Sequence, residues 1–152
     1  MSNIRVYVDT SVFGGVFDKE FKKPSSIFFQ QAKSNQFILV TSAVVQAEIM
    51  DAPHEVKTLF NEILPFAEII KVENEALMLR DAYLEAGIVS SKYTNDALHV
   101  ALATVSNCSI ITSWNFKHIV HFQKIPLYNA INLLHGFHQI AIFSPMEVIK
   151  YE

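Results

Sequence analysis

Three carboxylates and one amide lie far apart in the chain, each close to a short apolar run. Asp9 follows "IRVYV", Glu48 lies in "SAVVQAEIM", Asp96 in "TNDALHVALAT", and Asn115 comes after "CSIIT", in "SWNF". Carboxylates gathered in one place repel, and each raises its neighbours' pKa unless a cation intervenes. No lysine or arginine is obviously placed to neutralise these four. An all-oxygen donor set suits a hard divalent ion, Mg²⁺ or Mn²⁺, which keeps several waters and also binds substrate phosphate. Such an ion would invert the field that an acidic pocket presents to an anionic, phosphate-bearing ligand.

Each residue also has a plainer role. Asp9 before Thr-Ser could be a turn or cap. Asp96 in the first turn of a helix could complement the helix dipole. Glu48 could be a surface or ion-paired glutamate, with Asp51 three residues on along the same helical face. Asn115 could be a loop residue.

The surroundings add candidates of a second kind. Thr10 and Ser11 could bond the Asp9 carboxylate or hold substrate, and Gly14 and Gly15 admit close backbone approach or a positive φ. Lys92 and Tyr93 precede Asp96. After Asn115 comes "KHIVHFQK", with Lys117, His118, His121 and Lys124 at three-to-four spacing, a candidate rim for flanking phosphates; the alternative is a solvated face. Trp114 could stack on a base or pack against a helix. His99, one turn beyond Asp96, could bond that carboxylate or a phosphate, or be a packed structural residue. The pairs His118-x-x-His121 and His135-x-x-His138 lack partner ligands for zinc, and Cys108 reads as a small core residue.

These residues need a scaffold. Short β-branched and aromatic runs predict strands at 4–8, 37–40, 67–72, 108–112 and 139–144. Helical period predicts helices from Ser25 after Pro24, over 42–50, over 74–87 ending at Gly87, from Thr94 or Asn95 as cap to 107, and over 127–137. Alternating strands and helices imply an α/β, three-layer domain with a central, mostly parallel sheet of four to five strands. In such sheets chemistry gathers at the carboxyl ends of the strands, where Asp9 and Asn115 fall. With 152 residues, no internal repeat and no linker-like composition, one domain over 1–152 is expected.

Bulk properties bound the function. The chain is 51% hydrophobic and 18% charged, with a net charge of −3, so polyanion binding must be local rather than a property of the whole field. No apolar stretch approaches the ~20 residues of a membrane span. The lone cysteine and the absence of a secretory h-region at the N-terminus point to the cytoplasm.

"YVDTSVFGG", "TSAVVQAEI", "TNDALHVALAT" and "IITSWNF", in that order, resemble the acidic-site blocks of the PIN domain family, metal-dependent ribonucleases that include VapC-type toxins of toxin–antitoxin systems. Asp9, Glu48 and Asp96 match the first three acidic positions. Where many members carry a fourth aspartate this chain has Asn115, which offers a neutral carbonyl oxygen and weakens the hold on metal. The resemblance implies an Mg²⁺- or Mn²⁺-dependent endoribonuclease with Asp9 and Asp96 as ligands, Glu48 as ligand or orienting base and Asn115 as auxiliary. It also implies RNA as substrate, a small antitoxin protein as partner, and a homodimer. The competing readings are a catalytically silent PIN-like module that binds RNA or protein, and a receiver-like domain with Asp9 as phosphoacceptor.

Overall fold

The computed structural model describes residues 4–151, so the part of the N-terminal expectation that rests on residues 1–3 lies outside the described residues. The chain begins with β1 (Arg5–Val8), α1 (Thr10–Gly15), α2 (Lys22–Lys33), β2 (Ile38–Ser42), α3 (Ala43–Ile49) and α4 (His54–Ile63). It continues with β3 (Ala67–Ile70), α5 (Asn74–Glu85), α6 (Thr94–Val105), β4 (Ile110–Thr112), α7 (Ile125–Leu134), β5 (Ala141–Phe143) and α8 (Pro145–Val148). The five strands form one sheet in the order β3-β2-β1-β4-β5, every pair parallel. This is the expected α/β class.

Consecutive residues of the central strands are buried: Val6, Tyr7 and Val8 on β1, and Leu39, Val40, Thr41 and Ser42 on β2. Since successive side chains point to opposite faces, both faces of the sheet must be covered, as parallel sheets require. On one side α5, α6 and α7 pack together; elsewhere α1 meets α2, α3 and α4, and α2 meets α8. Every residue of α6 from Ala97 to Thr104 is buried, making it the central helix of its layer.

The helix ends differ from the expected ones for identifiable reasons. α2 starts at Lys22, so Pro24 lies inside its first turn, where a missing N–H costs nothing, and Ser25 is a buried helix residue rather than a cap. α6 starts at Thr94 behind a 3₁₀ turn (Ser91–Tyr93); Thr94 Oγ1 donates to Ser91 O at 2.5 Å instead of capping, and Tyr93 holds the cap position. α5 ends as its sequence predicts. Gly87 takes φ +74°, its N–H meets Leu84 O, and Ile88 N–H reaches back to Tyr83 O. Three helices, α1, α4 and α8, have no counterpart in the expected pattern. Asp51 is exposed beyond the end of α3 and does not share a helical face with Glu48.

Candidate active site

The sheet order reverses at β1, whose neighbours are β2 on one side and β4 on the other. Open parallel sheets bind ligands outside the carboxyl ends of the strands at such a switch point, here the ends of β1 and β4. Val8 pairs with Thr112, so the next residues, Asp9 and Ser113, leave adjacent strands side by side.

Asp9 is the N-cap of α1 and is 4% exposed. Its Oδ1 accepts from Ser11 N–H at 3.1 Å and from the Ser11 hydroxyl at 2.6 Å, and its Oδ2 accepts from the Ser113 hydroxyl at 2.6 Å. Ser11 Oγ in turn accepts from Trp114 N–H at 2.9 Å, and Ser113 Oγ from Asn115 N–H at 2.9 Å. The two loops are thus sewn together around one carboxylate. Burial pushes the Asp9 carboxyl above its ordinary value; the nearby His99 and the two serine hydroxyls pull it back, and the Glu48 charge adds to the rise.

Glu48, on α3, keeps a third of its side chain exposed, and its Oε1 is held twice, by Thr10 Oγ1 at 2.7 Å and by His99 Nε2 at 2.8 Å. Burial alone would raise its pKa, but His99, Thr10 and Asn95 together hold it below the usual carboxylate range. His99 is 2% exposed on α6. Its burial favours the neutral ring, but the bond to Glu48 and the charges of Asp9, Glu48 and Asp96 outweigh that and raise its pKa. Three carboxylates therefore act on one buried imidazole. Asp96 lies one turn before His99 on the same helix, half-buried, and its side chain makes no hydrogen bond or ion pair within the described residues.

Asn115 lies in the loop after β4. Its Oδ1 accepts from His118 N–H at 2.9 Å and its backbone oxygen accepts from Ile119 N–H and Val120 N–H, so it caps the turn that follows β4. Trp114 is 7% exposed, stacks on Phe21 with ring centroids 4.1 Å apart, and donates from Nε1 to Ser25 Oγ at 2.8 Å. That burial favours the packing alternative over base stacking. Gly15 of the doublet is the close approach: a Cβ there would lie 2.6 Å from Ser25 Oγ and 2.7 Å from Trp114 Nε1.

The rim candidates sit on the Asp96 side. Lys92 and Lys117 are exposed, with the Lys92 ammonium 5.7 Å from the Tyr93 ring centroid. His118 stacks on Tyr93 at 3.7 Å, and its Nδ1 is buried without a partner. Burial, with the charges of Lys117 and Lys124, holds the His118 pKa down, while Asp96 pulls it up.

The sequence reading did not foresee the Ser113 bond to Asp9, nor Tyr7 and Ser42, which lie behind His99. Ser113 was within reach of it, since it follows β4 as Asp9 follows β1. For Tyr7, a mid-strand aromatic, no sequence signal distinguishes a site residue from core.

Among the described residues no three of His, Cys, Asp and Glu are close enough to form a ready-made cage. Mg²⁺ does not require one: it binds through one or two carboxylates and retains water and substrate oxygens. Asp9 fits that demand, because its bonding partners are neutral donors and three hydrogen bonds leave about one of a carboxylate's four acceptor positions open. Asp96 fits because it is unengaged. The ion pairs among the described residues are Arg5–Glu68, Arg80–Asp81 and His99–Glu48, so no lysine or arginine neutralises the site.

Comparison with known proteins bears on the fold and the family. Two solved structures superpose on nearly the whole chain, each at 13% identity and a TM-score of 0.60. They are VapBC2 from Rickettsia felis bound to a DNA fragment from their promoter (93% of this chain, 98% of that one) and FitAcB from Neisseria gonorrhoeae (94% and 99%). No curated protein matches the sequence. The PIN domain model matches residues 6–115, which run from β1 through the loop after β4 and include Asp9, Glu48, Asp96 and Asn115. The chain belongs to the PIN domain family.

Proposed function

We propose that this protein is a metal-dependent endoribonuclease, acting as the toxin of a toxin–antitoxin pair. The observation that carries the reading is Asp9: a carboxylate 4% exposed at the switch point of the sheet, bonded by neutral donors, with Glu48 and the unengaged Asp96 acting on the same buried histidine. Such a group needs positive charge, and the fold supplies none from lysine or arginine. The fold shared with VapBC2 supports an antitoxin partner.

In this reading Asp9 and Asp96 hold Mg²⁺ or Mn²⁺, which when bound supplies charge neutralisation and Lewis-acid activation at the phosphate. The serines keep Asp9 in one orientation. Glu48, held ionised at neutral pH, orients the attacking water or takes its proton. Lys92, Lys117 and His118 line the side of Asp96 on which flanking phosphates of single-stranded RNA would lie. Asn115 contributes by shaping the loop rather than by charge.

A second reading follows from Asn115 itself. With no fourth carboxylate, and with its Oδ1 engaged by His118 N–H, the chain could bind RNA or protein without cutting. One experiment separates the two: incubation of the protein with a mixed RNA pool and Mn²⁺, with and without chelator, beside Asp9→Asn. Cleavage that chelator stops and the variant lacks is the expected result. Parent-rate cleavage by Asp9→Asn overturns the assignment, and retention of RNA without cleavage under any divalent metal favours the silent module.

A further inference from the structure

Behind Glu48 a chain of hydrogen bonds runs into the core. Ser42 Oγ lies 2.7 Å from Tyr7 Oη, Tyr7 Oη lies 2.8 Å from His99 Nδ1, and His99 Nε2 lies 2.8 Å from Glu48 Oε1. Tyr7 and Ser42 are completely buried and His99 nearly so. The polarity is set from the carboxylate end. An ionised Glu48 only accepts, so Nε2 carries a proton. In the neutral imidazole Nδ1 is then the acceptor, Tyr7 donates to it, and Ser42 donates to Tyr7 while accepting Val45 N–H at 3.3 Å. In that neutral form every buried group is satisfied and the side-chain protons point toward Glu48; in the protonated ring, which the neighbouring carboxylates favour, Nδ1 donates to Tyr7 and Tyr7 to Ser42, and Nε2 donates to Glu48 in both.

Burying three polar side chains has a desolvation cost that an apolar trio of the same volume would avoid. What the polar trio adds is direction. The Tyr7 and His99 rings are tilted by 56° with centroids 5.8 Å apart, so their contact is the hydrogen bond rather than a stack. With Thr10 on the same oxygen, Glu48 Oε1 is fixed from two sides. Groups that orient a metal-site carboxylate from behind are worth roughly 10–100-fold in affinity or activity.

We propose that His99 is a positioning residue, which fixes the Glu48 carboxylate through Nε2 so that Oε2 faces the reaction, and that Tyr7, anchored by Ser42, fixes the His99 ring. What Glu48 then does rests on the nuclease reading; the fixing of Glu48 does not.

The test uses the full chain and the variants His99→Gln, His99→Leu, Tyr7→Phe, Glu48→Gln and the His99→Leu/Glu48→Gln pair. RNA cleavage with Mn²⁺ is resolved into kcat and KM, and the His99 ring protons are followed by NMR in metal-free protein. His99→Leu should lower kcat roughly 10–100-fold with KM nearly unchanged. His99→Gln, which keeps an N–H donor, should recover most of that loss, Tyr7→Phe should lose less than His99→Leu, and the double variant should be no worse than Glu48→Gln alone. The parent should show a downfield Nε2 proton that shifts in Glu48→Gln. Additive losses in the double variant, or equal losses in His99→Gln and His99→Leu, overturn the proposal. A parent that cleaves no RNA sinks the nuclease reading instead, and positioning is then decided by the Nε2 proton, whose absence in the folded parent overturns it.

Discussion

Ser113 Oγ and Asp9 Oδ2 are 2.6 Å apart at the ends of neighbouring parallel strands, and that bond, with the two from Ser11, gives the buried carboxylate its place without a counter-charge. The folded-state pKa of Asp9 is raised above its ordinary 3.8 by burial, so ionising it at neutral pH works against folding. Asp9→Asn removes the charge and keeps a residue equally good at the N-cap of α1. In chelator the variant should therefore melt at or above the parent temperature, while the gain in melting temperature that Mn²⁺ gives the parent disappears. A large fall in the chelator melt would mean that the charge itself holds the two loops together.

Glu48 and His99 titrate as a coupled pair with opposite shifts. His99, raised above its ordinary 6.5, adds stability that is complete below that value and is lost as pH rises through its folded pKa. Glu48, held below its ordinary 4.5, adds stability that is complete above that value and is lost as pH falls through its folded pKa. The pair's contribution is thus full between those two ordinary values. Thermal melts of metal-free protein should decline as pH rises above about 6.5 more steeply in the parent than in His99→Gln. Parallel curves would remove His99 from the account of stability.

The two adjacent glycines should respond in opposite directions. At Gly15 an added methyl meets Ser25 and the Trp114 ring under 3.0 Å, so Gly15→Ala should cost about 1–3 kcal/mol. At Gly14 nothing lies within 4 Å and the residue is inside α1, so Gly14→Ala should stabilise by up to about 1 kcal/mol. Urea midpoints at constant slope check both.

How far the site could be read from sequence depends on the separation of its partners. The carboxyl ends of β1 and β4 were legible because "RVYV" and "SIIT" are too short for helices and lead to Asp9 at once and to Asn115 three residues on. α1 was not, because "TSVFGG" looks like a turn until Asp9 Oδ1 accepts Ser11 N–H and makes it a capped helix. His99 was visible as a neighbour of Asp96, but its partners, Glu48 and Tyr7, are 51 and 92 residues away, and only strand register brings them together. Asn115 was legible as a departure from the acidic pattern; that its oxygen caps a turn depends on local backbone geometry that residue type does not encode.

Trp114 separates packing from recognition. Trp114→Phe keeps a ring against Phe21 but leaves the buried Ser25 hydroxyl without the indole N–H, so it should cost about 1–3 kcal/mol of stability. RNA affinity, measured by fluorescence anisotropy with the variant still folded, should not change. If the indole stacked on a base, the smaller ring would weaken binding by part of the about 1–3 kcal/mol that such a contact supplies.

Asn115→Asp tests whether the fourth position limits the site. The cap to His118 N–H uses Oδ1, which aspartate also provides, and Asn and Asp are equivalent at such positions, so the fold should be unchanged. The new charge joins Asp9, Glu48 and Asp96 with no lysine or arginine paired to any of them. Without metal the added repulsion should raise the pKa of the neighbouring carboxyls and lower the melting temperature. With Mn²⁺ the same charge becomes attraction, and calorimetry should show several-fold tighter binding. The variant should therefore be less stable than the parent in chelator and more strongly stabilised by Mn²⁺, a crossover that a loop remote from the ion could not produce. Equal Mn²⁺ affinity in the two proteins would place Asn115 outside the ion's reach and confine it to shaping the turn after β4.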